Sequence, residues 1–297
     1  GGKARLFYTS TLPPATMSLW SGKSKTNISD VTYANGYYVV CGSYYDGTKS
    51  YARIAYTTSL DGSWTIKNIW EGTTSQEGAY SIAYANGYWV VGGASRSNNT
   101  YYGRIAYTTN LNGTWELVNM WEGSSYYNEI HCVIYANGYW VVGGVQQDRS
   151  GVSYEAQIAY STSLSGTWNT DSLWSATSSN DACVTDIAYA NDYFVACGEY
   201  LNPKNSFGVL AYTSDITSNN WEVDYEFIIG SYATCVEYVN GYWVIGSQQY
   251  SYLYYAQTPE KAWTRLEIGP YSQHNRILDI TYADGYWVAS GKGYEND

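Results

Sequence analysis

The chain has 297 residues, 45% of them hydrophobic, which is enough for one large all-β domain or two ordinary ones. Only 14% are charged and the formal net charge is −11, a balance that argues against a phosphate-tracking nucleic-acid surface and against an anionic membrane. No run of about 18 apolar residues occurs, so no membrane insertion by a helix is expected.

The aromatic residues are unusual: 36 Tyr and 13 Trp against 4 Phe. Tyr and Trp combine apolar area with a polar handle, which suits half-buried strands and wet binding surfaces alike. The chain opens "GGKARLFYTS" without an initiator Met or an apolar leader, and is expected to be an excised domain or a processed product.

From the N-terminus, "RLFYTSTLPPATMSLW" (Arg5 to Trp20) reads as two strands. Next comes "VTYANGYYVVCG", two β-rich runs joined by Asn35-Gly36, a pair suited to a type I′ hairpin turn. "RIAYTT" and "SWTIKNIW" follow as two more strands around the tight turn "SLDGSW". The four-strand phrase then repeats. Its Tyr recurs at 33, 84, 135, 189, 238 and 282, at spacings of 51, 51, 54, 49 and 44. Self-similarity at a near-fixed period marks stacked supersecondary units, and four antiparallel strands per unit describe a β-propeller blade.

The last unit stops after two strands, "ILDITYADGYWVASG" (Ile277 to Gly291), while the first residues match the third and fourth strands of a unit. The expectation is a single all-β domain, a six-bladed β-propeller of four-stranded antiparallel blades. Its blades span about 27–70, 78–121, 129–174, 183–227 and 232–268, with 276–294 and 4–20 sharing the sixth and closing the ring. The repeated "YANGYW" is expected to be inter-blade core. The five cysteines, 41, 132, 183, 197 and 235, lack CxxC spacing and read as small buried hydrophobes.

Two turns of each unit are short and alike, whereas the links between the second and third strands and between units differ in length and sequence. Variable loops on a rigid scaffold carry recognition. These are rich in Tyr, Ser, Asn and Gly, the mixture that binding loops use. Ligand-contact candidates on this face are Tyr45, Tyr80, Tyr102, Tyr127, Glu129, His131, Tyr232 and His274. Two further sets stand in repeat register. Arg5, Arg53 and Arg104 open third strands, and Asp30, Asp186 and Asp279 lie near the start of innermost strands. The arginines either ring an anion pocket or pair with the aspartates within a blade, Asp30 with Arg53 and Asp279 with Arg5. The three aspartates offer a Ca²⁺ or Mg²⁺ site at the channel mouth; no other cofactor is expected. Glu77, Glu129, Asp148, Asp181 and Glu199 are loop acids available to glycosidase chemistry, but no spacing singles out a pair. With two histidines and no HExxH, catalytic zinc is not expected.

Ser59-Leu-Asp-Gly-Ser-Trp64 resembles the Asp box, a turn between the outer strands of sialidase-like propellers. The repeat is also similar to those of phage-tail and bacterial surface propellers. The resemblance covers every unit, is one residue short of the usual box, and keeps Asp61 where later copies have Asn112 and Ser165. It implies a fold rather than an activity. A sialidase proper would use an arginine triad, a Tyr–Glu pair and an acid/base carboxyl. The reading favoured from the sequence is a non-catalytic module that binds carbohydrate or a surface glycopolymer, in an extracellular, cell-surface or virion setting. A glycoside hydrolase is the alternative, and a protein-binding assembly scaffold the second.

Overall fold

A computed structural model describes residues 3–8, 15–23, 26–72, 77–97, 100–123, 127–147, 153–177, 182–201, 205–268, 275–283 and 285–292. All its regular elements are strands. β1 (Lys3–Tyr8) pairs with β2 (Ala15–Ser21). Five four-stranded antiparallel sheets follow in chain order. The first holds β3 (Asn27–Ala34), β4 (Tyr37–Tyr45), β5 (Ser50–Thr57) and β6 (Thr65–Gly72). The second holds β7 (Gly78–Ala85), β8 (Tyr88–Ser97), β9 (Thr100–Thr108) and β10 (Glu116–Gly123). The third holds β11 (Glu129–Ala136), β12 (Tyr139–Gln147), β13 (Ser153–Ser161) and β14 (Asn169–Thr177). The fourth holds β15 (Ala182–Ala190), β16 (Tyr193–Leu201), β17 (Ser206–Thr213) and β18 (Glu222–Ile229). The fifth holds β19 (Ala233–Val239), β20 (Tyr242–Ser247), β21 (Tyr252–Ala256) and β22 (Thr264–Glu267), and β23 (Arg276–Ala283) pairs with β24 (Tyr286–Lys292).

The strands divide into two compact units, 1–135 with 162–167, and 136–161 with 168–297. Each is built of propeller-blade sheets. No helix among the described residues is long and apolar enough to cross a membrane.

The hairpin between each first and second strand turns where the sequence places it. Asn35, Asn86, Asn137 and Asn240 have φ of 49 to 50°, followed by glycines with φ of 80 to 85°, the left-handed pair that a type I′ turn needs. The fourth copy substitutes Asn191-Asp192, both at positive φ. Behind the turn, the ring two residues on is the core anchor. Trp89, Trp140, Phe194 and Trp243 are 0 to 1% exposed. The repeated Tyr packs on it across the hairpin, with ring centroids 4.7 Å apart for Tyr84–Trp89 and 4.5 Å for Tyr189–Phe194. The phrase is therefore core through its Trp; Tyr33 in the first sheet is 62% exposed.

Three kinds of side-chain tie join neighbouring sheets within a unit. The Trp closing a fourth strand donates its indole N–H to a second-strand carbonyl of the following sheet: Trp70 to Ala94, and Trp174 to Glu199. Lys67 on β6 donates to the carbonyls of Asn112 and Gly113 in the outer turn of the next sheet. The third tie involves the first strands and the site described below. Cys41, Cys132, Cys183, Cys197 and Cys235 are all buried. Burial pushes the Cys41 and Cys235 thiols upward, so they pack as small hydrophobes.

Candidate functional site

Five first strands carry a β-bulge near their start. In the first sheet Ile28 pairs with Gly42 and Asp30 with Cys41, leaving Ser29 unpaired. The same slip leaves Tyr80, Thr185, Thr234 and Leu278 unpaired in β7, β15, β19 and β23. A bulge re-aims one side chain and adds local twist, which is why bulges gather at binding sites. Opposite four of these five bulges stands a second-strand glycine, Gly42, Gly93, Gly198 or Gly291, and Ser247 takes the place in the fifth sheet. A Cβ on Gly93 would lie 1.9 Å from the Gly78 carbonyl oxygen, and one on Gly42 2.1 Å from that of Asn27.

The residue after the bulge is a clamp. Asp30 accepts from Val31 N–H through Oδ1 (2.6 Å) and from Ile82 N–H of the next sheet through Oδ2 (2.8 Å). Asp186 repeats this with Ile187 and Val236, both at 2.9 Å. Asp279 accepts from Ile280 N–H at 2.8 Å. In the second sheet Ser81 does the same work, its hydroxyl accepting from Val133 N–H at 3.2 Å. These aspartates tie strands together. Among the described residues no three His, Cys, Asp or Glu side chains converge as a metal site requires.

Burial pushes the Asp186 carboxyl up to about 7 against the pull of its two backbone donors, and the charges of Asp279 and Glu237 add to the rise. An acid whose folded pKa exceeds its unfolded value adds stability below the unfolded value, near 3.8, and loses it as pH rises through about 7. Wild type is therefore expected to gain stability relative to Asp186→Asn between pH 8 and pH 5, with a slope of at most about 1.4 kcal/mol per pH unit for one proton. Parallel thermal melts of the two proteins across that range check it; parallel curves would refute it.

The expected Asp30–Arg53 pairing gives way to other partners. Arg53 faces Asn68 directly across the β5–β6 ladder, and its Nε donates to Asn68 Oδ1 at 2.8 Å. Arg104 repeats the bond with Asn119 at 2.8 Å. Asp30 lies on β3, two strands from β5, and two strand spacings amount to about 10 Å. The Arg53 guanidinium instead stacks 3.6 Å from the Tyr44 ring centroid. The arginines are thus tied into their own sheets rather than ringing an anion pocket. For Arg5 only the backbone is described; it pairs with Ser18 in β1–β2, at the place that Asn68 takes opposite Arg53.

Three predicted contact residues do come together. Tyr80, at its bulge, and His131, at the matching place of β11, have ring centroids 6.2 Å apart. His131 Nε2 lies 3.1 Å from Glu129 Oε2. Both groups are about a quarter exposed, 24% for the His131 side chain and 26% for Glu129. The Tyr80 ring folds over Gly78 and reaches Ser43 at the end of β4. Burial pushes its phenol well above the usual range, and the charges of Glu129 and Glu77 push it further. The hydroxyl therefore stays protonated and is available as a donor. In two other sheets the bulged residue is a further tie instead. Thr185 donates to the Ala233 carbonyl at 3.0 Å and Thr234 to that of Ile277 at 2.7 Å.

The remaining candidates are dispersed. The Tyr45 hydroxyl donates to Gly47 O, Tyr102 lies 5.9 Å from the Arg104 guanidinium, Tyr127 is 44% exposed, and the Tyr232 hydroxyl accepts from Ser206. His274, Asp148 and Asp181 lie outside the described residues.

Glu77 is a residue whose place the sequence reading missed. It stands just before β7 and is 2% exposed, with Oε1 accepting from Arg96 N–H at 2.8 Å and Oε2 buried without a hydrogen-bond partner. Burial raises its pKa, and Arg104 and Arg96 moderate the rise. Thr26, Asn128, Ser231 and Asn275 occupy the same place, seven residues before the repeated Tyr, and all are buried. That periodic polar residue was the signal. Thr26 holds Tyr45 N–H and Ser231 holds Gln249 N–H as Glu77 holds Arg96. Only the second sheet places a carboxyl there.

No protein-family model matches the chain, and no curated protein matches it in sequence. Solved structures do resemble it. A Trypanosoma rangeli sialidase in complex with the inhibitor DANA superposes with a TM-score of 0.55 at 9% identity, over 97% of this chain and 55% of the sialidase. The chain thus spans about half the length of that protein. A Penicillium chrysogenum α-L-arabinanase complexed with arabinobiose superposes with a TM-score of 0.60 at 15% identity, over 91% of this chain and 90% of the arabinanase. At these identities the likeness is one of fold: this chain is built as the sialidase-like propellers are.

Proposed function

We propose that the protein is a carbohydrate-recognition module, and that the group Tyr80–Glu129–His131 is its contact site. The observation that carries this is the bulge. It turns an aromatic ring out of the ladder at the blade end bearing the variable loops, beside an imidazole and a carboxylate. A ring of this kind stacks on the apolar face of a sugar, while Glu129 and His131 take hydroxyls. The fold's resemblance to a sialidase and to an arabinanase that holds arabinobiose supports a saccharide ligand, and the setting we propose is extracellular or on a virion surface. Tyr80→Ala and His131→Ala are each expected to weaken binding on a glycan array about 10-fold or more, with the far-ultraviolet circular dichroism of the folded protein retained. Unchanged binding in both variants would refute the site.

A glycoside hydrolase is the second reading, favoured by the two carboxyls that flank Tyr80 and by the enzymes among its fold relatives. It asks for a general acid and a second carboxyl across a cleft. A phenol driven upward by burial, and further by the charges of those carboxylates, is a hydrogen-bond donor rather than a ready nucleophile, which favours binding. A panel of chromogenic glycosides decides: turnover abolished by Glu129→Gln or Glu77→Gln would establish the hydrolase.

We also propose that the domain is a closed six-bladed ring, 27–292 with 3–21, in which β1–β2 and β23–β24 form one blade. Two ties support it. Trp20 of β2 donates to the Ser43 carbonyl of β4, the bond made by Trp70 and Trp174 from true fourth strands. Thr234 reaches the Ile277 carbonyl of β23 as Thr185 reaches Ala233 of β19. So β2 sits where the fourth strand of a preceding blade would, and β23 where the first strand of a following blade would.

A further inference from the structure

The fifth sheet carries the molecule's most strained turn among the described residues. Between β20 and β21 the chain places Tyr250 at φ 66° and Ser251 at φ 53°, two consecutive residues in the left-handed region, neither a glycine nor an asparagine. A bulky side chain there is disfavoured by about 1 kcal/mol or more, and strain of this kind persists where the surroundings over-determine it. The surroundings do so here. Ser247 Oγ donates to Gln249 O at 2.7 Å and accepts from Tyr252 N–H at 3.2 Å. Gln248 N–H donates to Tyr232 O, and Gln249 N–H to Ser231 Oγ, both at 2.9 Å.

The strained turn holds an aromatic stack. The Tyr250 and Tyr252 rings lie 5.6 Å apart at 32°, and the Arg265 guanidinium stands 4.6 Å from the Tyr252 ring centroid. Arg265 also bonds the Tyr254 hydroxyl and lowers that residue's tendency to hold its proton, against the larger effect of burial. Tyr252 is thus fixed by a cation and by its neighbour, and Tyr250 is held half-buried at the turn. Most turns in this chain that need positive φ use Asn or Gly, so a Tyr there is a choice of side chain over backbone comfort.

We propose that Tyr250 and Tyr252 form a second sugar-stacking subsite, which takes a neutral oligosaccharide ring on the Tyr250 ring. The turn joins a second strand to a third, the same blade end that carries the variable loops. The inference rests on the carbohydrate reading above and adds a second, separate platform to it.

The experiment is calorimetric titration with neutral arabino-, xylo-, gluco- and chito-oligosaccharides of two to six residues, against wild type, Tyr250→Gly, Tyr250→Phe and Tyr80→Ala. Tyr250→Gly is expected to raise the melting temperature by relieving strain while weakening one class of oligosaccharide sites about 5-fold or more. Tyr250→Phe is expected to keep most of that affinity. Raised stability with unchanged affinity, while Tyr80→Ala still abolishes binding, would overturn the second subsite and leave the first intact. No binding of any oligosaccharide to wild type would overturn both.

Discussion

Replacing Gly93 by Ala is expected to destabilise the protein by about 3 kcal/mol or more, the upper range for forcing an atom into a packed interior. The reason is local and geometric. The added Cβ would sit 1.9 Å from the Gly78 carbonyl oxygen, 2.9 Å from its carbon and 3.1 Å from Ala79 Cα. All three are backbone atoms of the strand that carries the Tyr80 bulge, so no flexible side chain can give way. Relief requires the bulge to open, which would draw β7 off β8 and move Tyr80. Gly87, in the same hairpin, is the control. Nothing lies within 4 Å of a Cβ there, but φ is +81°, so Ala is disfavoured by backbone strain alone, about 1 to 2 kcal/mol. Urea unfolding of Gly93→Ala and Gly87→Ala should therefore separate clearly. Equal losses would mean that the bulge yields freely, and the rigid presentation of Tyr80 would fall with it. If Gly93→Ala does not accumulate as soluble protein, Gly42→Ala, with its clash at 2.1 Å to Asn27 O, carries the same comparison in the first sheet.

That clash explains which parts of the molecule the sequence revealed. Turns are written in residue type: Asn-Gly allows two left-handed residues, and it marked four of the first hairpins. Core anchors are also written plainly, since Trp89, Trp140 and Trp243 recur in one register. A bulge leaves no such mark. Its extra residue is Ser29, Tyr80, Thr185, Thr234 or Leu278, four hydroxyl side chains of very different size and one aliphatic, a mixture that ordinary strand positions also show. A glycine stands opposite four of the five, with Ser247 at the other, and "VVGG" reads equally well as a tight strand. Strand pairing misled the reading of the arginines for a related reason. Repeat register showed that Asp30 and Arg53 recur together, yet β4 lies between their strands. The residue facing Arg53 is Asn68, one strand outward, and its recurrence as Asn119 was equally visible. The grouping of Tyr80 with His131 and Glu129 was legible only as far as face and blade end, because their approach depends on the bulge.

Removing residues 1–21 is expected to lower the melting temperature by 10 °C or more, because the N-terminal hairpin is proposed to complete a blade that β23–β24 begin. The second unit shows what such a blade would cover. An apolar groove of about 560 Å³ runs between the fifth sheet and the last hairpin, lined by Val244, Leu253, Leu266, Ile268, Trp287 and Val288. Leu266, Ile268, Trp287 and Val288 are 40 to 51% exposed there, whereas Trp89, the counterpart of Trp287, is 1% exposed in its complete sheet. Covering four half-exposed side chains of this size contributes about 1 kcal/mol each, roughly 4 kcal/mol in all, before any ladder hydrogen bond is counted. The repeat supplies the register. In the second sheet Val91 pairs with Ala106 and Val90 with Tyr107. The equivalent residues are Ala289 with Phe7, and Val288 with Tyr8. Cysteines introduced at Ala289 and Phe7 are therefore expected to cross-link on mild oxidation, while a pair shifted by one residue, Ala289 and Leu6, should do so far more slowly, since a one-residue slip turns a side chain to the opposite face. Peptide mass mapping reads the bond directly, apart from the five buried native thiols. A truncated protein that melts with the full chain, or cysteines that never link, would leave the sheets as an open array and the groove for another partner.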